Sequence, residues 1–217
     1  TLFQQKMLPF QGLEAHLLNN VVFTHLKKES ERASEYMAVH LGEPEWCKGY
    51  GVRNTHTRAV APTKSTALIM GGISEGINPD PAMVYTQLTA AGEVDRLNPT
   101  LLELMKSKGV YNQKNIQQVI DTKGSVQGVD WLDEHEKKVF KTAFEIDQKA
   151  ILRLASLRQT KLDQGQSLNL FFSSEESEQK ISEIHQIAFK DPNINALYYC
   201  YSRRGVSASK GECESCM

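Results

Sequence analysis

The sequence predicts an α/β protein, and three features of its pattern support this fold class. Residues 167–172 alternate between polar and apolar and then become apolar throughout, as a mostly buried strand does. The aromatic-rich residues 196–201 have the composition of a second strand, and a helical segment separates the two. Because strands joined through a helix usually pair in parallel, we expect a parallel sheet or barrel.

The N-terminal part is predicted to be a long helix over residues 10–41. Leu13, Leu17 and Val21 recur at four-residue steps, which is the spacing of one helix face. Gly42 follows the last apolar residue and is a typical helix stop.

Two short elements are predicted after this helix. Residues 52–60 mix valine, threonine and polar residues and predict a short strand. In residues 61–66 a proline precedes threonine and serine residues, which is typical of a helix N-terminus. Gly71 and Gly72 then end the predicted helix.

The middle of the chain is predicted to be helical, with elements near residues 83–91, 98–108 and 112–121 and a longer helix over 133–159. Asn98 and Pro99 supply a cap and a proline at the first helical position. Val139, Ala143 and Ile146 share one apolar stripe of the longer helix.

The C-terminal part carries one further helix and a tail. Ser173 and Glu176 match a capping box for a helix that ends at about Lys190. Residues 202–217 contain few apolar side chains, and we expect this tail to be flexible.

Composition argues against several protein classes. Lys and Arg number 25 against 26 Asp and Glu, a net charge of −1, whereas a general nucleic-acid binder has a basic excess. No apolar run approaches the roughly 20 residues of a membrane helix. The four cysteines occur without a secretory signal, so we expect reduced thiols and a cytoplasmic protein.

The first candidate site is the predicted helix start after residue 61. Free backbone N–H groups and partial positive charge at a helix N-terminus can bind a phosphate, and three hydroxyl residues and a lysine add donors. An ordinary helix cap explains the same residues. The candidate residues are Pro62, Thr63, Lys64, Ser65 and Thr66.

The second candidate is the pair Cys213 and Cys216, which only Met217 follows. Two thiols at this spacing on a mobile tail can form a disulfide and be reduced again by an external dithiol. Two alternatives stay open. The pair could be half of a zinc site, with Cys200 and His185 as the nearest further ligands, or it could have no function.

The third candidate is the adjacent pair Tyr198 and Tyr199. Phenols can pass an electron and a proton in short hops, so such a pair suits one-electron chemistry. Ordinary packing on the two faces of a strand is the alternative. His56 and Asp163 are isolated titratable groups, and the spacing assembles no Ser-His-Asp or metal-ligand set.

The segments that carry chemistry belong to one ordered set of motifs. The set is Tyr50-Gly51-Val52-Arg53-Asn54, Ala61-Pro62-Thr63-Lys64-Ser65-Thr66, Asp163-Gln164-Gly165-Gln166-Ser167-Leu168-Asn169, Ala196-Leu197-Tyr198-Tyr199 and the terminal Cys-x-x-Cys. In this order the chain resembles the C-terminal part of the large (α, catalytic) subunit of class I ribonucleotide reductase. The resemblance is strong from about Tyr50 and weaker from Phe10, and residues 43–49 look like phage versions of the enzyme.

The resemblance implies a role for each candidate. Residues 62–66 match the loop that binds the diphosphate of a ribonucleoside diphosphate substrate. Tyr198 and Tyr199 match stacked tyrosines that relay a radical from a di-iron tyrosyl site in the small (β) subunit to the catalytic cysteine. Cys213 and Cys216 match the tail dithiol that re-reduces the active-site disulfide and is itself reduced by thioredoxin or glutaredoxin.

The chain also departs from the family. It contains no Asn-x-Cys-x-Glu loop, which would carry the radical cysteine, and it lacks the partner cysteine pair and the regulatory nucleotide sites. Cys200 is therefore not the radical cysteine, and Lys64 stands where relatives vary. We expect a natural split subunit, a processed product or a fragment, inactive until it assembles with the N-terminal part and the small subunit.

The resemblance further implies the C-terminal part of a ten-stranded α/β barrel with a mostly helical insert and a flexible C-terminal tail. Residues 1–79 would form a barrel segment with the long helix and the diphosphate-binding loop, 80–165 the insert, 166–201 the closing strands and helix, and 202–217 the redox tail. We expect no cofactor, metal, nucleic acid or membrane bound by this chain. Its location would be the cytoplasm, or the host cytoplasm if a phage encodes it.

Two other functional classes remain open on the residues alone. One is a non-enzymatic redox or zinc-binding interaction module. The other is a stand-alone dithiol oxidoreductase, which is disfavoured because the cysteine pair does not open a helix after a strand.

Overall fold

The computed structural model describes residues 1–89 and 92–203, with the side chains of all of these except 86–89 and 92–95. The helices in these ranges are α1 Leu2–Gln5, α2 Leu13–Leu41, α3 Lys64–Ile69, α4 Pro99–Ser107, α5 Gln113–Asp121, α6 Glu134–Val139, α7 Gln148–Gln159 and α8 Glu178–Lys190, with a 3₁₀ turn at Glu45–Cys47. The strands are β1 Val84–Thr89, β2 Gly92–Leu97, β3 Leu170–Ser173 and β4 Cys200–Arg203.

The predicted strand–helix–strand unit is present at the C-terminal end of the described chain. Strands β3 and β4 pair in parallel, with Leu170 opposite Cys200 and Ser173 opposite Arg203, and α8 connects them. Both strands lie within a few residues of their predicted positions. The α/β fold class therefore rests on a crossover that the sequence predicted.

Strands β1 and β2 form a separate antiparallel hairpin, with Val84 opposite Leu97. The predicted helix at residues 83–91 is therefore wrong. Residues 80–165 contain this hairpin besides four helices, and their place as an insert in a barrel stays a prediction. The described residues contain no closed sheet, so the ten-strand count also stays a prediction.

Helix α2 confirms the long N-terminal helix and ends where Gly42 adopts a φ of 77°. The apolar stripe that predicted it points away from the described core, since Leu13 is 75% and Val21 63% exposed. The buried face instead carries small and polar residues, among them Ala15 and Asn19. No described helix combines the length and the apolar character that crossing a membrane requires.

Two further predicted boundaries are wrong. Residues 52–60 form no strand, and only Val60 makes a bridge, to Gln166. The single helix predicted over 133–159 is two helices, because Asp147 caps a second start by accepting the N–H of Lys149.

The apolar stripe of this divided helix is nevertheless buried as predicted. Val139, Ala143 and Ile146 are all at most 4% exposed. Helix α8 begins later than its predicted capping box, because the side chain of Ser177 accepts the N–H of Lys180. Periodicity thus located the core correctly but not the ends of these helices.

Two apolar clusters form the core. One gathers residues of α7, α8 and β3, including Ile151 and Leu152 of α7 and the strand residues Leu170 and Phe172. The other lies between the hairpin and helices α4, α5 and α6, around Leu101 and Phe140.

A buried polar network joins α2 to α7 and to the segment before β3. The guanidinium of Arg158, 3% exposed, donates to Gln166 Oε1 and to Asn19 Oδ1, both at 3.0 Å, and lies over the Phe23 ring. Gln166 in turn donates to the carbonyl of Ala155. Burial lowers the pKa of Arg158 to about 9, so the side chain stays charged at neutral pH.

We predict that Arg158→Ala destabilises the chain by about 2–4 kcal/mol, because it leaves buried amide oxygens without a donor and removes packing. Urea unfolding of the 217-residue chain measures this. Arg153→Ala is the matched control, since Arg153 lies exposed on the same helix and its loss should change stability by at most about 0.5 kcal/mol. Equal midpoints for the two variants would contradict the prediction.

Candidate functional site

The segment at residues 165–169 lies at the centre of the candidate site. On one side of it, Val60 N donates to the Gly165 carbonyl at 3.2 Å and Ser167 N donates to the Val60 carbonyl at 2.9 Å. The bridge is parallel, so the chain at Val60 runs in the same direction as the chain at Gln166.

On its other side, the same segment binds the tyrosine pair through the backbone. Tyr198 N donates to the Leu168 carbonyl at 2.8 Å, and Leu170 N donates to the Tyr199 carbonyl at 2.9 Å. The structure thus places the 163–169 motif between the tyrosine pair and Val60, the residue that immediately precedes the 61–66 motif.

Two buried amides fix this alignment. Asn78 accepts the N–H of Asn169 at 3.0 Å and donates to the Ser167 carbonyl at 3.2 Å. Asn169 accepts the N–H of Tyr199 at 3.2 Å. Asn78 had no role in the sequence analysis, because its partner lies about 90 residues away and no local pattern marks it.

The carboxylate of Asp163 ties a further segment to the same motif. It accepts the backbone N–H groups of Thr57 and Arg58, both at 2.9 Å, and the Arg58 guanidinium lies 3.4 Å away. Desolvation by burial opposes ionisation, but these donors outweigh it and lower the pKa of Asp163 below its usual range. Asp163 is therefore not the isolated group that its spacing suggested.

The predicted phosphate-binding residues form an exposed helix start. Helix α3 begins at Lys64, and Thr63 to Thr66 are exposed. Among the described residues, no side chain caps this helix, so its first backbone N–H groups stay free for another acceptor. The binding role of these residues stays a prediction.

Thr63 holds this start in an unusual conformation. Its φ of 55° lies in the left-handed region, which a β-branched residue rarely adopts. The Thr63 hydroxyl accepts the N–H of Gly76 at 2.9 Å instead of capping its own helix. Because such strain persists only where the surroundings enforce it, the contact with Gly76 positions the loop.

Charge around the helix start is mixed. Glu75 lies close enough to Lys64 to feel its charge, yet burial raises the pKa of Glu75, with only partial compensation by Lys64 and a further increase from Asp80. The site is therefore not a uniformly basic surface.

The rings of Tyr198 and Tyr199 pack against each other rather than on opposite faces of a strand. Their centroids are 4.1 Å apart with an interplanar angle of 49°, and their hydroxyl oxygens are 3.4 Å apart. Both precede β4, so the alternation of a regular strand does not separate them. They are 48% and 42% exposed, which leaves the phenols accessible.

The remaining candidates are placed differently. Cys213 and Cys216 lie outside the described residues. Cys200 is exposed as a residue, but partial desolvation of its thiol raises the pKa of that thiol. Cys47 is buried, with 2% of its surface exposed. Within the part of the chain that the structure describes, no three His, Cys, Asp or Glu side chains form a group that could hold a metal ion.

Comparison with known proteins identifies one family. Residues 44–200 match the ribonucleotide reductase barrel domain, a range that includes Val60, the 163–169 motif and the tyrosine pair. The chain is 38% identical over 205 residues to the putative ribonucleoside-diphosphate reductase large subunit of Frog virus 3, covering 93% of this chain and 36% of that protein. It is 30% identical to the ribonucleoside-diphosphate reductase large subunit of Danio rerio, covering 92% and 29% respectively.

A solved structure gives the same result. The class Id ribonucleotide reductase alpha subunit of Actinobacillus ureae superposes with a TM-score of 0.84 at 32% identity, covering 93% of this chain and 36% of that one. The likeness supports an α/β barrel-type fold. The chain spans about a third of the length of these relatives.

We predict that Gly76→Ala displaces the loop at residues 61–62. A Cβ at Gly76 would lie 2.8 Å from the Ala61 carbonyl oxygen, and its φ of 54° already disfavours alanine. Gly71→Ala is the control, because it has the same kind of φ but nothing within 4 Å of the added Cβ.

The control should cost only its strain, about 1–2 kcal/mol, whereas Gly76→Ala should cost more and speed amide hydrogen exchange at residues 61–66. Thermal unfolding and hydrogen-exchange mass spectrometry measure both quantities. The same exchange pattern in the two variants would refute the coupling between Gly76 and the loop.

Proposed function

The chain belongs to the ribonucleotide reductase barrel-domain family, and from this premise we propose that it forms the C-terminal part of the catalytic large subunit of a ribonucleoside-diphosphate reductase. The observation that carries the proposal is the hydrogen-bonded alignment of Val60, residues 165–169 and the Tyr198 and Tyr199 pair, within the matched range. The assembled enzyme would reduce ribonucleoside diphosphates to deoxyribonucleoside diphosphates by radical chemistry.

The substrate's diphosphate would bind at the start of α3. Free N–H groups and the partial positive charge of the first turn favour an anion, and the hydroxyls of Ser65 and Thr66 add donors. Lys64 would pair with the diphosphate charge. Glu75 lies nearby, and burial raises the pKa of this carboxyl although the charge of Lys64 partly offsets the effect.

Tyr198 and Tyr199 would relay the radical. Each phenol in turn gives up an electron and its proton and then recovers both, so no atom is lost from the chain. Ring contact at 4.1 Å supports exchange between the two, and their exposure leaves room for a partner to deliver the oxidising equivalent. The partner would be the small subunit, whose di-iron site would supply a tyrosyl radical.

Cys213 and Cys216 would restore the active site after turnover. One tail thiolate attacks the active-site disulfide and forms a mixed disulfide with one of its sulfurs. The second tail thiolate then attacks the tail sulfur of this mixed disulfide, which releases an active-site dithiol and leaves a tail disulfide. Thioredoxin or glutaredoxin would then reduce the tail by the same exchange. This chemistry needs a reducing compartment, so we place the protein in the cytoplasm.

The N-terminal part of the large subunit would complete the barrel. The chain lacks a motif for the radical cysteine, and it spans about a third of its relatives. Large apolar side chains on α2, including Leu13, Leu17 and Val39, are 57–81% exposed and are of the kind that a further packed layer covers. Strands β3 and β4 would be later strands of the ten-stranded barrel, with residues 80–165 inserted.

A zinc-binding or redox interaction module is the less favoured alternative, because neither explains the match over residues 44–200. Metal analysis of the purified chain separates the two functions. Stoichiometric zinc held by Cys213 and Cys216 would overturn the reductase proposal for the tail.

We predict that Tyr198→Phe or Tyr199→Phe abolishes nucleotide reduction without changing assembly, because phenylalanine keeps the ring but has no phenolic proton. The assay combines the chain, the N-terminal part, the small subunit and a dithiol, and it measures deoxyribonucleoside diphosphate. Tyr111→Phe is the control, an exposed tyrosine packed against Lys106 in the α4–α5 region. Turnover by a Tyr198→Phe or Tyr199→Phe complex would remove the relay assignment.

We predict that Cys213→Ser or Cys216→Ser blocks turnover with thioredoxin but preserves it with a small dithiol that reaches the active site directly. The ratio of the two activities is the measurement. Cys200→Ser, a change at an exposed thiol outside the tail, should leave this ratio unchanged. Equal loss with both reductants would count against the reducing role of the tail.

A further inference from the structure

Tyr201 extends the tyrosine pair towards the core. Tyr199 is the last residue before β4, and Tyr201 is the second residue of that strand. Their ring centroids are 5.6 Å apart with an interplanar angle of 57°. The three tyrosine rings therefore form one continuous row, with contacts of 4.1 and 5.6 Å.

The row changes character at Tyr201. Tyr198 and Tyr199 are 48% and 42% exposed, whereas Tyr201 is partly buried against the core cluster. Its ring stacks on Phe171 at 5.2 Å and 15°, because the two residues are partners in the parallel register of β3 and β4. Phe171, 5% exposed, then meets Phe144 edge to face at 5.5 Å.

This order of rings has a chemical consequence. A phenol can lose an electron together with its hydroxyl proton, whereas a phenylalanine ring has no such proton and is far harder to oxidise. The part of the row that can carry an oxidising equivalent therefore ends at Tyr201. The aromatic rings beyond it only pack.

Building on the relay proposed above, we propose that Tyr201 is a third redox-active tyrosine, which exchanges an electron and a proton with Tyr199. The phenoxyl radical of Tyr199 takes one electron and one proton from Tyr201, which restores the Tyr199 phenol and leaves a phenoxyl radical on Tyr201. The reverse transfer returns it. The oxidant that starts the sequence is the tyrosyl radical of the small subunit.

Tyr201 is the closed end of a branch and not a step on the way to substrate. An equivalent held there lies deeper than on Tyr198 or Tyr199, so external reductants reach it less easily. The branch would store the radical while the forward path from Tyr199 is closed.

The test places 3-aminotyrosine, which is more easily oxidised than tyrosine, at one position at a time in the complex of chain, N-terminal part and small subunit. The positions are Tyr199, Tyr201 and, as a control remote from the row, Tyr111. Electron paramagnetic resonance follows the aminotyrosyl signal and the loss of the small-subunit radical. We expect a signal at 199 and at 201 and none at 111, and we expect Tyr199→Phe to abolish the signal at 201.

Each other outcome overturns a stated part. A signal at 199 without one at 201 removes Tyr201 and leaves the relay. No signal at either position removes the relay, and Tyr201 with it. A signal at 201 that survives Tyr199→Phe, or one that also forms at 111, shows oxidation by another route and refutes the branch. A purely structural Tyr201 would give no signal, although its ring still stacks on Phe171.

Discussion

Two buried amide side chains, Asn78 and Asn169, hold the candidate site in register. Each is 7% exposed, and Asn78 uses both ends of its amide on the backbone of residues 167–169. Asn169 extends this alignment to the tyrosine pair, because its side chain accepts the N–H of Tyr199. Because an unpaired buried polar group costs about 1–3 kcal/mol, segments distant in sequence must keep one arrangement. The loop at Gly76, which positions Thr63, lies two residues before Asn78 and is bound by the same constraint.

Much of the fold could be predicted from local pattern, and its errors have physical causes. Helices α4 and α5 lie close to their predicted positions, and Asn98 and Asn112 each accept an N–H group of the first turn. The hairpin was missed, although Val84, Thr86 and Leu88 follow the two-residue period of a strand, because the alanines between its strands favour helix. In residues 133–159 the apolar stripe continued through a break that only the cap at Asp147 marked.

The site was less predictable than the fold, since its geometry depends on long-range contacts. The order of the motifs along the chain identified them, but it could not show that residues 165–169 lie between Val60 and the tyrosine pair. Asp163 looks isolated in the sequence because its hydrogen-bond donors, the backbone N–H groups of Thr57 and Arg58, lie more than 100 residues away. No local sequence pattern marks Asn78 or Asn169 as a residue that fixes this register. A sequence names the chemical groups, whereas the pairing of distant backbone segments decides which of them meet.

The proposed relay would place two opposing requirements on the tyrosine row. Electron exchange between rings needs fixed short separations, and the backbone of Tyr198 and Tyr199 is held by three hydrogen bonds to residues 168–170. Delivery from another subunit needs exposed phenols, and both rings are more than two-fifths exposed. Hydrogen-bonding the backbone while leaving the side chains open satisfies both. Two residues after Tyr199, the ring of Tyr201 lies beside the Tyr199 ring and packs against the core cluster, so the row extends from the exposed pair to a partly buried position.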